Sequence, residues 1–241
     1  MNIIFATGCD TDYYPSWYHL YRSIKRHIPS SVIYFYDLGL NSADIDHIKT
    51  LDIHYNYFDF SQYPEWVNIN NDAGQWAWKA QIIQEVMNRY EISADKKQYL
   101  IWCDARNQLE NSLDKTFDFI EKNGIYTNMT RGDIHEMTVI ETIKYLDAFE
   151  HMNMPMRNAA LPCFNINIGW VRDFINEYAR LSLVKECIYP VGSSRKNHRQ
   201  DQSIMSILYY KYKDAYKFDE IDFYGGIRIH TGNNIIRPYH R

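Results

Sequence analysis

"QYLIWCDAR", residues 98–106, decides the fold. An apolar run, Tyr99 to Cys103, stops at an acid, Asp104, and Arg106 follows two residues later. A short run of aromatic and aliphatic residues reads as a strand buried on both faces. Asp104 is then delivered at its carboxyl end. A carboxylate in that position is costly to desolvate unless a cation shares it. The segment alone also permits a plainer role, with Asp104 closing the turn that follows.

Upstream, the same strand signal recurs between helical patterns. "NIIFAT" at 2–7 is a buried strand ended by Gly8. "PSWYHLYRSIKRHI" at 15–28 opens on a proline suited to a first helical turn. "VIYFYD" at 32–37 and "DIHYNYF" at 52–58 read as strands, with a Ser-capped helix over 42–51 between them. The longest helical pattern runs over 73–90. Strand–helix alternation of this kind makes a mostly parallel sheet covered on both faces. Such sheets bind ligands beyond the carboxyl ends of their strands. Gly8 to Asp12 and Asp104 to Arg106 both fall there.

Downstream the pattern is less regular. A helix is expected over 112–122, a strand in "GIYTNM", and a strand running into a helix from 161 to about 185. Another helix is expected over 199–212, and one short strand near the end. No repeat or linker divides the 241 residues, so one α/β domain is expected over 1–241.

Composition narrows the function classes. A net charge of −4 gives no basic field for nucleic acid. One basic stretch, "SSRKNHR" at 193–199, reads as a solvated loop or as a contact for phosphate or acceptor. The 21 Tyr, 11 Phe and 6 Trp first build a core, and some are candidates to stack on sugars or bases. Cys9, Cys103, Cys163 and Cys187 form no CxxC pair, so neither a zinc motif nor a disulfide framework is implied. No run approaches a membrane span. A soluble, cytoplasmic protein is the expectation, with peripheral membrane association left open.

Several segments, in order, resemble nucleotide-sugar glycosyltransferases of the GT-A fold, family-eight enzymes of the glycogenin and lipopolysaccharide galactosyltransferase type above all. "IIFATGCDTDYYPSWYHLYRSI" is similar to their first strand, nucleotide loop and helix, and "YLIWCDAR" to the strand bearing their Asp-x-Asp motif. "CFNINIGWV" at 163–171 resembles their Phe-Asn-x-Gly strand, and "RQDQSIMSIL" at 199–208 their Asp-Gln helix. "IHTGNNIIRPY" at 229–239 resembles their terminal His-x-x-Gly…Lys-Pro-Trp segment, with Arg for Lys and Tyr for Trp. "WAWKAQII" at 76–83 is similar to a Trp-Lys-Pro helix of related members.

The resemblance implies a single GT-A-like domain with a Rossmann-like sheet, residues 1–110 holding the nucleotide and 111–241 facing the acceptor. It implies transfer of a sugar from a nucleotide diphosphate, UDP favoured, to a glycan or other hydroxyl acceptor, with retention. By matching positions, Asp201 and Gln202 are the catalytic candidates. Thr7, Asp12, Tyr13, Lys79, Asp104, Arg106, Asn165 and Arg237 are the donor-binding ones, with Tyr14 an alternative stacking ring and Asn167 on the same strand face as Asn165. Asp104 and His230 are the implied ligands of Mn²⁺ or Mg²⁺. Arg106 stands where the motif has its second Asp. A guanidinium beside a divalent ion repels it by several kcal/mol, but its fork suits phosphate oxygens. Two other readings keep the residues but change the outcome: a nucleotide-sugar-binding protein with little catalysis, and a carbohydrate-binding module. A nucleotidyltransferase is disfavoured, because "TGCDTDYY" is too acidic to cradle a triphosphate.

Overall fold

The computed structural model describes residues 1–223 and 226–229. Its strands are β1 (Asn2–Cys9), β2 (Val32–Asp37), β3 (His54–Tyr57), β4 (Gln98–Trp102), β5 (Gln108–Leu109), β6 (Ile125–Tyr126), β7 (Met129–Asp133), β8 (Pro155–Arg157), β9 (Cys163–Asn165) and β10 (Ile227–Arg228). Its α-helices are α1 (Tyr14–His27), α2 (Ser42–Ile48), α3 (Ala77–Asn88), α4 (Asp114–Asn123), α5 (Ile134–Met137), α6 (Ile140–Tyr145), α7 (Gly169–Leu181), α8 (Lys185–Ile188) and α9 (Gln200–Tyr216).

The central sheet has the order β3-β2-β1-β4-β9-β6. β1, β2, β3 and β4 run parallel, and β9 is antiparallel to both β4 and β6. The mostly parallel α/β sheet anticipated from the sequence is therefore present. β1 shows why both its faces are apolar. Ile4 and Ala6 enter one core with α3, α7 and α9, while Ile3 and Phe5 enter a second core with α1 and α4. Tyr14, Trp17, Leu20 and Ile24 recur at helical spacing on α1 and are fully buried in that second core. Among the described residues, no helix is long and apolar enough to cross a membrane.

Two expectations about the helices change. The cap of α2 is Asn41, whose side chain accepts the Asp44 N–H, rather than Ser42. The helix expected from residue 73 begins only at Ala77. Before it, Asp72, Ala73, Gly74, Gln75 and Trp76 all lie in the left-handed region, with φ between 51° and 59°. Each non-glycine residue there costs about 1–2 kcal/mol. Gly74 relieves one step, since a Cβ would lie 2.0 Å from the Val67 carbonyl oxygen. The Trp78 indole N–H closes the turn by donating to the Ala73 carbonyl.

Candidate active site

β1 and β4 are neighbours, so their carboxyl ends open side by side. A cleft of about 280 Å³ lies there. Gly8 to Asp10 and Asp104 to Arg106 line it from the two strand ends. Tyr13 and Leu38 line one part, and Trp76, Trp78, Trp102, Ile69 and Ala73 bring the apolar wall. Arg195 reaches in from the loop before α9, its guanidinium carbon 4.8 Å from the Trp76 ring centroid. The left-handed turn thus has a visible consequence: it turns Trp76 and Ala73 into the cleft wall while starting α3 in the register that sends Lys79 inward.

Lys79, expected to touch the donor, instead joins two carboxylates behind the cleft. It is 3% exposed, and its Nζ lies 3.2 Å from Asp104 Oδ1 and 2.9 Å from Asp201 Oδ2. It also donates to the Ala159 carbonyl and lies over the Trp102 ring. Burial works against its charge, and the two carboxylates outweigh that, so its pKa is held above the ordinary lysine value. Asp201 is 5% exposed in the first turn of α9, where the helix dipole favours an acid. Burial pushes its carboxyl up, with Lys79 pulling the other way. Asp104 Oδ1 also accepts the Trp102 indole N–H at 2.6 Å. The Asp104 side chain keeps 25% of its surface and lines the cleft.

The other expected residues divide. Tyr13 and Arg106 line the cleft. Gln202 is partly exposed beside Asp201. Lys79 does not line the cleft; it lies behind Asp104 with its donors used inside the protein. Thr7 is fully buried, and its hydroxyl has no hydrogen-bond partner. Asp12 is exposed on the turn before α1, and the acid that lines the cleft is Asp10 instead. Burial raises the Asp10 pKa even though its Oδ1 accepts the Tyr13 N–H. Tyr14 is a core residue bonded through its hydroxyl to His47. Asn165 pairs with Tyr99, at the end of β4 opposite Asp104, and is bonded to Glu121. Asn167 ties Ser93, Gln98 and Lys96 together. His230 and Arg237 lie outside the described residues.

Sequence reading passed over Asp10, Trp76 and Arg195. The signal for Arg195 was the basic stretch at 193–199. Among the described residues, the donor set at Asp104 does not suit a divalent cation. Asp104 Oδ1 already holds an ammonium and an indole N–H, Asp201 is turned to the same ammonium, and an arginine stands at the position of the second acid. No thiol offers a nucleophile: burial raises Cys9, Cys103, Cys163 and Cys187.

A family profile described as "Protein of unknown function (DUF1647)" matches residues 1–84. No curated protein matches the chain. Solved structures do. One is a galactosyltransferase, LgtC, in complex with donor and acceptor sugar analogues, at TM-score 0.55 and 15% identity, covering 86% of this chain and 70% of that one. Another is core-mannan synthase A of Aspergillus fumigatus in a Mn/GDP form, at 0.51 and 11%, covering 86% and 69%. A third is mouse xyloside xylosyltransferase 1 in its apo form, at 0.51 and 8%, covering 99% and 100%. The fold is that of the GT-A glycosyltransferases. At these identities the likeness speaks for the architecture, and the chemistry has to be argued from the cleft.

Proposed function

We propose that the protein is a glycosyltransferase that moves a sugar from a nucleotide diphosphate to a hydroxyl acceptor. The observation that carries this reading is the pairing of Asp104 with Arg106 and Arg195 in one cleft at the carboxyl ends of β1 and β4. Ligands of open α/β sheets bind at such a crevice. In the transfer, the bond from the anomeric carbon to the diphosphate oxygen breaks, and the acceptor oxygen forms the new bond. The acceptor proton is released, and the diphosphate leaves with the electron pair. That departing charge needs fixed positive groups.

Arg106 and Arg195 supply them as guanidinium forks suited to phosphate oxygens. Asp104 accepts from donor hydroxyls, and the backbone of Gly8 to Asp10 with Tyr13 holds the base and ribose. Trp76, braced by Arg195, offers a flat face to the sugar. Asp201 and Lys79 hold Asp104 in place from behind. Residues 1–110 then form most of the nucleotide side, and 111–241 the acceptor side plus Arg195. The Mn²⁺ or Mg²⁺ implied by the resemblance has one ligand, His230, outside the described residues and the other, Asp104, against Lys79. No step in this reading is routed through a metal. UDP as the nucleotide, family-eight membership and retention rest on the resemblance.

The test is calorimetric titration of UDP-, GDP- and CMP-sugars, followed by donor hydrolysis and transfer to glycan acceptors, with and without Mn²⁺. One nucleotide sugar should bind and be turned over, and Asp104→Asn should weaken both. Binding of every donor no tighter than free sugar would overturn the reading. Tight binding without hydrolysis or transfer would leave a nucleotide-sugar-binding protein.

A further inference from the structure

We propose a second site, unrelated to the cleft: a first-row divalent metal site, zinc by its ligand types, formed by Glu150, His151 and Asp214. The three residues bring one ligand atom each to within 4.8 Å of one another. Acids near a histidine are common on surfaces and would not carry this alone. The deciding observation is the imidazole. His151 is 4% exposed, and its Nε2 is buried without a hydrogen-bond partner. A buried polar atom of this kind normally has a partner.

This Nε2 is aimed at two carboxylates, 3.6 Å from Glu150 Oε1 and 3.7 Å from Asp214 Oδ2. Both separations are too long for hydrogen bonds. They match two ligands sharing one ion. With metal–ligand bonds of about 2.1 Å and the tetrahedral angle of about 109° at zinc, the ligand atoms sit roughly 3.4 Å apart, so a shift of a few tenths of an ångström by the two exposed carboxylates closes the site. One neutral imidazole and two carboxylates suit Zn²⁺, with water completing its coordination.

The two carboxylates are largely exposed, at 75% for Glu150 and 61% for Asp214, so an ion reaches the site from solvent and both acids are free to adjust around it. His151 ends the short turn Phe149–His151, and Asp214 lies in the last turn of α9. The ion would clip that turn to the helix whose first turn carries Asp201.

The experiment is zinc titration of chelator-treated full-length protein, by calorimetry and by competition with a chelating dye. Thermal melts are run alongside. Wild type should bind one Zn²⁺, and at 100-fold excess over Kd its Tm should rise by roughly 5–10 °C. His151→Gln should lose about 100-fold or more in affinity, since even outer-shell changes cost 10–100-fold. Asp214→Asn, at an exposed position that does not threaten folding, should also lose at least about tenfold. Asp104→Asn should bind zinc as wild type does, which separates this site from the cleft. No stoichiometric binding, equal binding by the His151 and Asp214 variants, or loss of binding in Asp104→Asn would each overturn the proposal.

Discussion

Replacing Lys79 by methionine removes the cation that Asp104 and Asp201 share while keeping most of the side-chain volume. At about 3 Å and an effective dielectric of ~20, each carboxylate interacts with the ammonium by about 5–6 kcal/mol. The measured loss will be smaller. Lys79 no longer has to be desolvated, water reaches the exposed part of Asp104, and Asp201 takes up a proton in place of the lost partner. Breaking a buried pair from one side typically costs about 3–5 kcal/mol, which in a chain of this size lowers Tm by about 10 °C. The loss should depend on pH. Burial already holds the Asp201 carboxyl above its ordinary value, with Lys79 opposing. A carboxyl raised in the folded state gives stability that is complete below the unfolded pKa and is lost as pH rises through the folded one. Without Lys79 the folded value climbs further, so the loss extends to higher pH. The gap between variant and wild type should be widest near neutrality and shrink on acidification toward about pH 4. Lys79→Met/Asp201→Asn should recover at least half of it at pH 7. Thermal melts of the three proteins at pH 7 and pH 5 decide the matter. If Lys79→Met melts within about 2 °C of wild type at both pH values, the two acids do not depend on the ammonium and the charge argument is wrong.

Other outcomes follow from single features. His198 is fully buried, with Nε2 donating to the Ile188 carbonyl, and burial lowers its pKa to about 4. The unfolded chain therefore takes up this proton first, and stability should fall by about 1.4 kcal/mol per pH unit between roughly pH 6.5 and 4; urea denaturation of His198→Gln should show that slope removed. In the left-handed turn, Ala73→Gly should stabilise by about 1 kcal/mol, whereas Gly74→Ala, whose Cβ meets the Val67 carbonyl, should cost at least about 2 kcal/mol. Equal denaturation midpoints for the two variants would refute that backbone argument. Arg195→Ala should weaken UDP binding by about 10- to 100-fold, the range of a charge-assisted hydrogen bond, and change uridine binding much less; calorimetry with both ligands reads the difference.

The sheet was legible because its strands are buried on both faces. Runs such as "NIIFAT" and "YLIWC" are too short and too apolar to be surface helices, and Asp104 marks where one of them ends. Of the expected residues, Tyr13, Asp104 and Arg106 follow directly from those strand ends and line the cleft. Lys79 was misplaced because its direction depends on where α3 starts. A helical pattern over 73–90 hides four left-handed residues, which local propensity disfavours and which the contacts of Gly74, Gln75 and Trp78 sustain. Asn165 was misplaced because β9 runs antiparallel to β4, and no local signal in three residues fixes strand direction. Arg195 joins the cleft across a sequence gap that periodicity cannot bridge.

The charges also order the roles within the proposed reading. Lys79 neutralises one of the two negative charges on Asp104 and Asp201, and the remainder reaches the cleft through the exposed part of Asp104. A phosphate placed against that carboxylate would meet a like charge in a partly dry site, which is repulsive. A ribose or sugar hydroxyl placed there donates a hydrogen bond to an anion, among the stronger kinds available to a neutral group. The phosphates are left to Arg106 and Arg195, whose planar forks match phosphate oxygens. An acid for hydroxyls and two guanidiniums for phosphates fit a ligand that carries both groups in one molecule, which a simple sugar does not and a nucleotide sugar does.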